Sequence, residues 1–83
     1  MARLTYKELS KKQIKPQRNI VVSEAYDKDN ELFGYSIAEQ LVTYEGDKEV
    51  KMFLKNGLGI LDKDGLINLR NAIDEAVKKI DKK

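Results

Sequence analysis

Residues 31–44 read Glu-Leu-Phe-Gly-Tyr-Ser-Ile-Ala-Glu-Gln-Leu-Val-Thr-Tyr. Phe33, Tyr35, Ile37 and Leu41 share one parity, and Gly34, Ser36, Ala38 and Gln40 share the other. Successive side chains of a strand point to opposite faces, so this stretch is expected to be a strand with one large, apolar face and one small or polar face. Upstream, Asn19–Tyr26 carries the β-branched run Ile20, Val21, Val22, and Asp27-Lys28-Asp29-Asn30 has the composition of a turn. Downstream, Glu45-Gly46-Asp47-Lys48 turns the chain. Beyond it Val50, Met52 and Leu54 alternate with Lys51, Phe53 and Lys55, so a strand here has one apolar face and one that reads Lys-Phe-Lys.

Asn56-Gly57 is a hairpin turn signal, and Leu58–Leu61 is then either a partner strand or a continuation past a bulge. Before Arg18 the pattern is weaker. Leu4 and Tyr6 alternate with polar neighbours, Gln13-Ile14 opens a short edge strand, and Pro16 suits an edge or a kink. We therefore expect residues 1–12 to be a basic, flexible segment and residues 13–83 to be a single domain. The last third is helical: Leu66, Leu69, Ile73, Ala76 and Ile80 recur at steps of three and four, and Ile67 and Val77 widen the stripe. Asp62 has the chemistry of an N-cap, Asp62 and Asp64 suit the positive end, and Lys78, Lys79, Lys82 and Lys83 suit the negative end. Strands followed by one helix imply an α+β domain with the helix on one sheet face.

Eighty-three residues make one domain, and a domain of this size buries only about 60% of the surface its unfolded chain exposes. Self-association is the expected remedy. With no cysteine there is no disulfide framework, thiolate chemistry or thiol-ligated zinc, and with no histidine the commonest metal ligand and general base are missing. The openings Asp27-Lys28-Asp29-Asn30-Glu31 and Asp62-Lys63-Asp64-Gly65 fail as calcium loops. Counting from Asp27, the sixth position is Leu32 and the twelfth Ala38; counting from Asp62, the twelfth is Ile73. Gly57-Leu58-Gly59 lacks the rest of a phosphate loop, and no serine sits in a catalytic motif. These features point to binding rather than catalysis, with no cofactor and no metal. The longest uncharged stretch, Leu32–Ala38, is far short of the roughly 20 apolar residues of a membrane helix, and the amino terminus carries no apolar signal core. We expect a soluble chain without a membrane partner, cytoplasmic in a bacterium or infected cell, or nuclear in a eukaryote.

The formal net charge of +2 is unevenly spread. Met1–Arg18 holds Arg3, Lys7, Lys11, Lys12, Lys15 and Arg18 against Glu8 alone, while Asn19–Val50 has eight acids against Lys28 and Lys48. Single-stranded nucleic acid presents a phosphate chain and unstacked bases, so its binding surface needs cations at intervals with aromatic rings between them. Lys51-Met52-Phe53-Leu54-Lys55 supplies both on alternate strand positions. The same spacing also fits a Phe53 buried against a second layer, flanked by solvated lysines.

Taken in order, these segments resemble the positive cofactor four family of transcriptional coactivators. The resemblance is carried by Gln13-Ile14 with Arg18 and Ile20–Val22, by Ile37-Ala38-Glu39 leading to Glu45-Gly46-Asp47, and by Gly59-Ile60-Leu61 with Leu66, Leu69 and Ile73. It spans roughly Gln13–Ile80. It implies a four-stranded antiparallel curved sheet followed by one C-terminal helix, homodimeric, binding single-stranded DNA with little sequence preference. The roles it implies are in transcription or, in bacteria and their viruses, in replication and recombination. Arg18 and the basic positions before it match the family's basic first strands. Tyr26 lies at or beside an aromatic loop-tip position with Lys28 next to it, and Lys55 falls near a basic position ahead of the last strand. Where the family has a basic residue and then a tryptophan, this chain has Ala38 and Leu41, and about four extra residues lie between Gly46 and Leu61.

The combined expectation is a non-enzymatic dimer. Lys11, Lys12, Lys15, Arg18, Lys28, Lys51 and Lys55 hold phosphates, and Tyr26, Tyr44 and Phe53 stack bases. Leu66, Leu69, Ile73, Ala76 and Ile80 form the dimer interface. The alternative is an interaction module of the same fold that contacts a polymerase or another replication or transcription protein without a strong DNA site.

Overall fold

The computed structural model of the chain describes residues 3–54 and 57–82. Short turns decide its topology. After β1 (Thr5–Lys15), the two residues Pro16 and Gln17 reverse the chain into β2 (Arg18–Tyr26). Gln17 takes φ 65°, and its carbonyl accepts the Val42 N–H at 2.8 Å, which ties the turn to the strand two places along. The next turn is built by Asp27, whose carboxylate accepts the N–H of Asp29 at 2.9 Å and of Glu31 at 3.0 Å, with Asn30 at φ 61°. Asp27 thus works as a turn residue, using its own side chain to replace missing backbone partners. β3 (Leu32–Glu45) follows, then a two-residue turn with Gly46 at φ 62°, then β4 (Lys48–Leu54). A positive φ at the first turn position is the usual geometry of a two-residue hairpin and is what glycine supplies without steric cost.

The sheet is antiparallel in the order β1-β2-β3-β4, and β5 (Ile60–Leu61) lies beside β3. Of the two readings of Leu58–Leu61, continuation is the one found. β4 pairs with β3 from Glu45 back to Glu39, and β5 resumes on the same edge opposite Ser36 and Tyr35. The backbone of β5 passes so close to Gly34 that a Cβ there would lie 2.5 Å from Ile60 Cγ2 and 2.7 Å from the Leu61 carbonyl oxygen. Asn56 of the expected Asn56-Gly57 turn lies outside the described residues.

The amino-terminal segment differs from expectation. Thr5–Lys15 is a full strand, paired with β2 from Thr5 opposite Tyr26 to Lys15 opposite Arg18. Register shifts at Leu9 and Ile14 break its alternation, and all eleven residues are exposed.

The helix α1 (Lys63–Asp81) starts where the sequence places it. Asp62 is its N-cap, accepting the Gly65 N–H at 2.7 Å, and Lys78 pairs with Asp74 one turn earlier at 3.1 Å. The fold is therefore α+β: four antiparallel strands and a short fifth, followed by one C-terminal helix.

Directly opposed residues in antiparallel strands share a face, so the register sorts the side chains into two sets. Ile20, Val22, Ile37, Tyr35, Glu39, Leu41, Met52 and Leu54 lie on one face. Leu66, Leu69 and Ile73 of α1 close a groove of about 630 Å³ over Ile20, Val22 and Ile37, which makes this the helix face. The opposite, open face carries Val21, Ser23, Ala25, Gly34, Ser36, Ala38 and Gln40 on the two central strands. Burial is confined to a few positions: Val21 and Ala25 are the buried apolar residues, Ser23 and Gln40 are buried polar ones, and no large side chain is fully buried among the described residues.

Candidate nucleic-acid interface

On the open face, the parity read in residues 31–44 has a physical result. Ser36 and Ala38 of β3, with Ser23 of β2, leave a floor without bulky side chains. Tyr6 and Phe53 complete the lining of this channel, which encloses about 290 Å³. Tyr6 comes from β1, opposite Ala25, and Phe53 from β4, opposite Gln40, so the rings belong to strands at the two sides of the sheet. Both rings stay in contact with solvent, Tyr6 at 57% and Phe53 at 59%. Tyr44, opposite Glu49, adds a third exposed ring on the same face near the β3–β4 turn. Beneath Phe53, Gln40 is buried and its Oε1 accepts the Asn19 side-chain N–H at 3.1 Å.

Two of the expected phosphate-holding cations share this face. Lys11 is opposite Val21, and Lys51 is opposite Val42, with its Nζ 3.3 Å from Glu49. Lys12, Lys15 and Arg18 lie on the helix face by register. There the Arg18 guanidinium is ion-paired with Glu39, a residue of β3 on the same face. Tyr26 also belongs to the helix face, beside Glu24 and Tyr35. Loss of hydration pushes its phenol above the ordinary tyrosine value, and a hydrogen bond to the Glu24 carboxylate and the charges of Glu24 and Tyr35 push the same way. Lys28 sits in the β2–β3 turn, and Lys55 lies outside the described residues. The structure thus brings Lys11, Tyr44, Lys51 and Phe53 to one face, and places Lys12, Lys15, Arg18 and Tyr26 on the other.

Tyr6 is the residue that sequence reasoning missed. Its only signal is an alternation with Leu4 in a strand lacking any buried position.

The expected interface residues divide along the helix. Leu66 and Leu69 are half-buried in the groove, whereas every residue from Arg70 to Lys82 is exposed, including Ile73, Ala76, Val77 and Ile80. Among the described residues no cluster of three or more acidic side chains is arranged to hold a metal ion, and no helix is long and apolar enough to cross a membrane.

No family model matches the chain, and neither the curated proteins nor the solved structures compared with it give a match.

Proposed function

We propose that the protein is a dimeric, non-enzymatic single-stranded DNA-binding protein of the positive cofactor four type, and that DNA lies on the open face of the sheet. One observation carries this reading: a channel floored by Ser23, Ser36 and Ala38 and lined by solvent-facing aromatic rings, with lysines on the same face. Unpaired bases need flat π-faces to stack on, and the small floor lets them approach the sheet. Lys11 and Lys51 supply positive charge on that face, and β1 as a whole carries four lysines against Glu8. Charge of this kind binds phosphates through release of counterions and is indifferent to sequence.

A second copy of the chain answers the exposed helix. The radius of gyration is 15.2 Å, where a compact chain of this length has about 12 Å. The accessible surface is 7016 Å², about 2,000 Å² above that of a typical monomer of the same mass. An excess of that size on each protomer is in the range that obligate homodimers bury.

The test is a titration of the purified chain with labelled single- and double-stranded oligonucleotides at several salt concentrations. Tight binding of the single strand at low salt, falling steeply as salt rises, is the expected result. The ion pairs that engage Arg18 with Glu39 and Lys51 with Glu49 favour a second reading, a protein-interaction module of the same fold. Binding that is absent at low salt, or indifferent to salt and strandedness, overturns the single-strand reading.

A further inference from the structure

We infer that Tyr6 is one wall of a base-stacking slot whose other wall is Phe53, and that the slot admits only unpaired bases. The inference rests on the open face being the single-strand site and assigns a specific role to a residue of the edge strand. Across β2 and β3 from Tyr6 stand Ala25 and Gly34, which have one side-chain carbon and none, and the Ile60 side chain lies against Gly34 beyond them. The ring borders two hollows. One is the channel shared with Ser23, Ser36, Ala38 and Phe53; the other, of about 230 Å³, is bounded by Ser36, Ala38, Leu54, Gly59 and Ile60. A large aromatic side chain that lines both hollows while half of it faces solvent offers a π-face on which a base can stack.

β1 and β4 are three strand spacings apart, about 14 Å, and the register sets Tyr6, opposite Ala25 and Gly34, six residues or about 20 Å along the strands from Phe53, opposite Gln40 and Asn19. Bases follow one another at about 3.4 Å, so a run of about seven spans the diagonal between the two walls. A base held in a duplex would first have to leave its own stack and its partner, which costs a few kcal/mol. Discrimination against duplex follows from the slot itself, in addition to any charge effect.

The experiment uses the full chain, a thymine-only single-stranded oligonucleotide at low salt, and tyrosine fluorescence, for which the absence of tryptophan leaves Tyr6, Tyr26, Tyr35 and Tyr44 as the emitters. Tyr6→Ala is expected to weaken binding about 5- to 150-fold, the loss of one stacking contact. Tyr6→Phe keeps the ring and is expected to retain affinity within about twofold while losing part of the DNA-induced quenching, because one responding emitter is gone. Full affinity in Tyr6→Ala, or undiminished quenching in Tyr6→Phe, overturns the slot and leaves the single-strand reading standing. A wild-type chain that fails to bind the oligonucleotide overturns both. Tyr6→Phe still decides the matter if Tyr6→Ala does not fold.

Discussion

Gly34 shows what one missing side chain does for this sheet. Its residue type places it among the small positions of β3, and the sequence carries that much. The reason for glycine rather than alanine lies in β5, which crosses so near that a methyl group would meet both the Ile60 side chain and the Leu61 backbone. Because one of these contacts is backbone, it has no rotamer to move out of the way. Gly34→Ala is therefore expected to destabilise the fold by about 1–3 kcal/mol, the usual cost of overpacking, read as a lower denaturant midpoint. An unchanged midpoint would mean that β5 does not hold that position in solution. The contrast with Tyr6 is instructive. Gly34 belongs to a strand whose alternation announces it, whereas Tyr6 stands in a strand with no buried side at all.

Legibility of the elements follows the same physics. A sequence reveals a strand or helix chiefly through its period. β2 keeps a burial period of two from Val21 to Ala25, while β3 alternates large with small or polar residues from Gly34 to Leu41, beyond a register shift at Phe33. β1 does not, for two reasons. It is an edge strand with all eleven residues exposed, and its irregularities at Leu9 and Ile14 shift the parity twice within its length. Lys7, Lys11 and Lys12, read as part of a flexible basic segment, and Lys15 beyond it are spread over both faces of that strand. Lysines and bulges are also common means of keeping an exposed edge from pairing with other chains. The helix was legible because its stripe, charge distribution and cap agree. Its start depends on one side chain, since the Asp62 carboxylate accepts the Gly65 N–H. Asp62→Ala is expected to cost about 1 kcal/mol and to lower the thermal midpoint followed by circular dichroism at helix wavelengths. Asp62→Asn, which keeps an acceptor at the cap, should recover most of the loss.

At the scale of the whole molecule, the balance between surface and interior is the decisive quantity. The chain buries no large side chain completely among the described residues, and it leaves Ile73 at 58% and Ile80 at 65% exposure on one helix. Length alone suggested that a second copy was needed; the structure adds where the uncovered apolar surface lies. If the proposed dimer forms through that surface, light scattering of the wild-type chain at micromolar concentration should give twice the 9.5 kDa of one chain. Ile73→Lys combined with Ile80→Lys should shift it to the single-chain mass. A wild-type monomer would remove the dimer from the proposal while leaving the open face to be judged by its own titration.

The meander also determines how the chain reaches this structure. Each of the four long strands lies beside its sequence neighbour, and the turns at Pro16-Gln17 and Gly46-Asp47 are two residues long. Every hairpin thus closes over a short loop at small entropic cost, and no strand has to wait for a distant one. Sheet formation is therefore a unimolecular event of local closures, independent of protein concentration. Covering the helix stripe by a second chain, as in the proposed dimer, would be a bimolecular event. If that dimer forms, refolding is expected to separate into a phase that dilution leaves alone and a later phase that dilution slows.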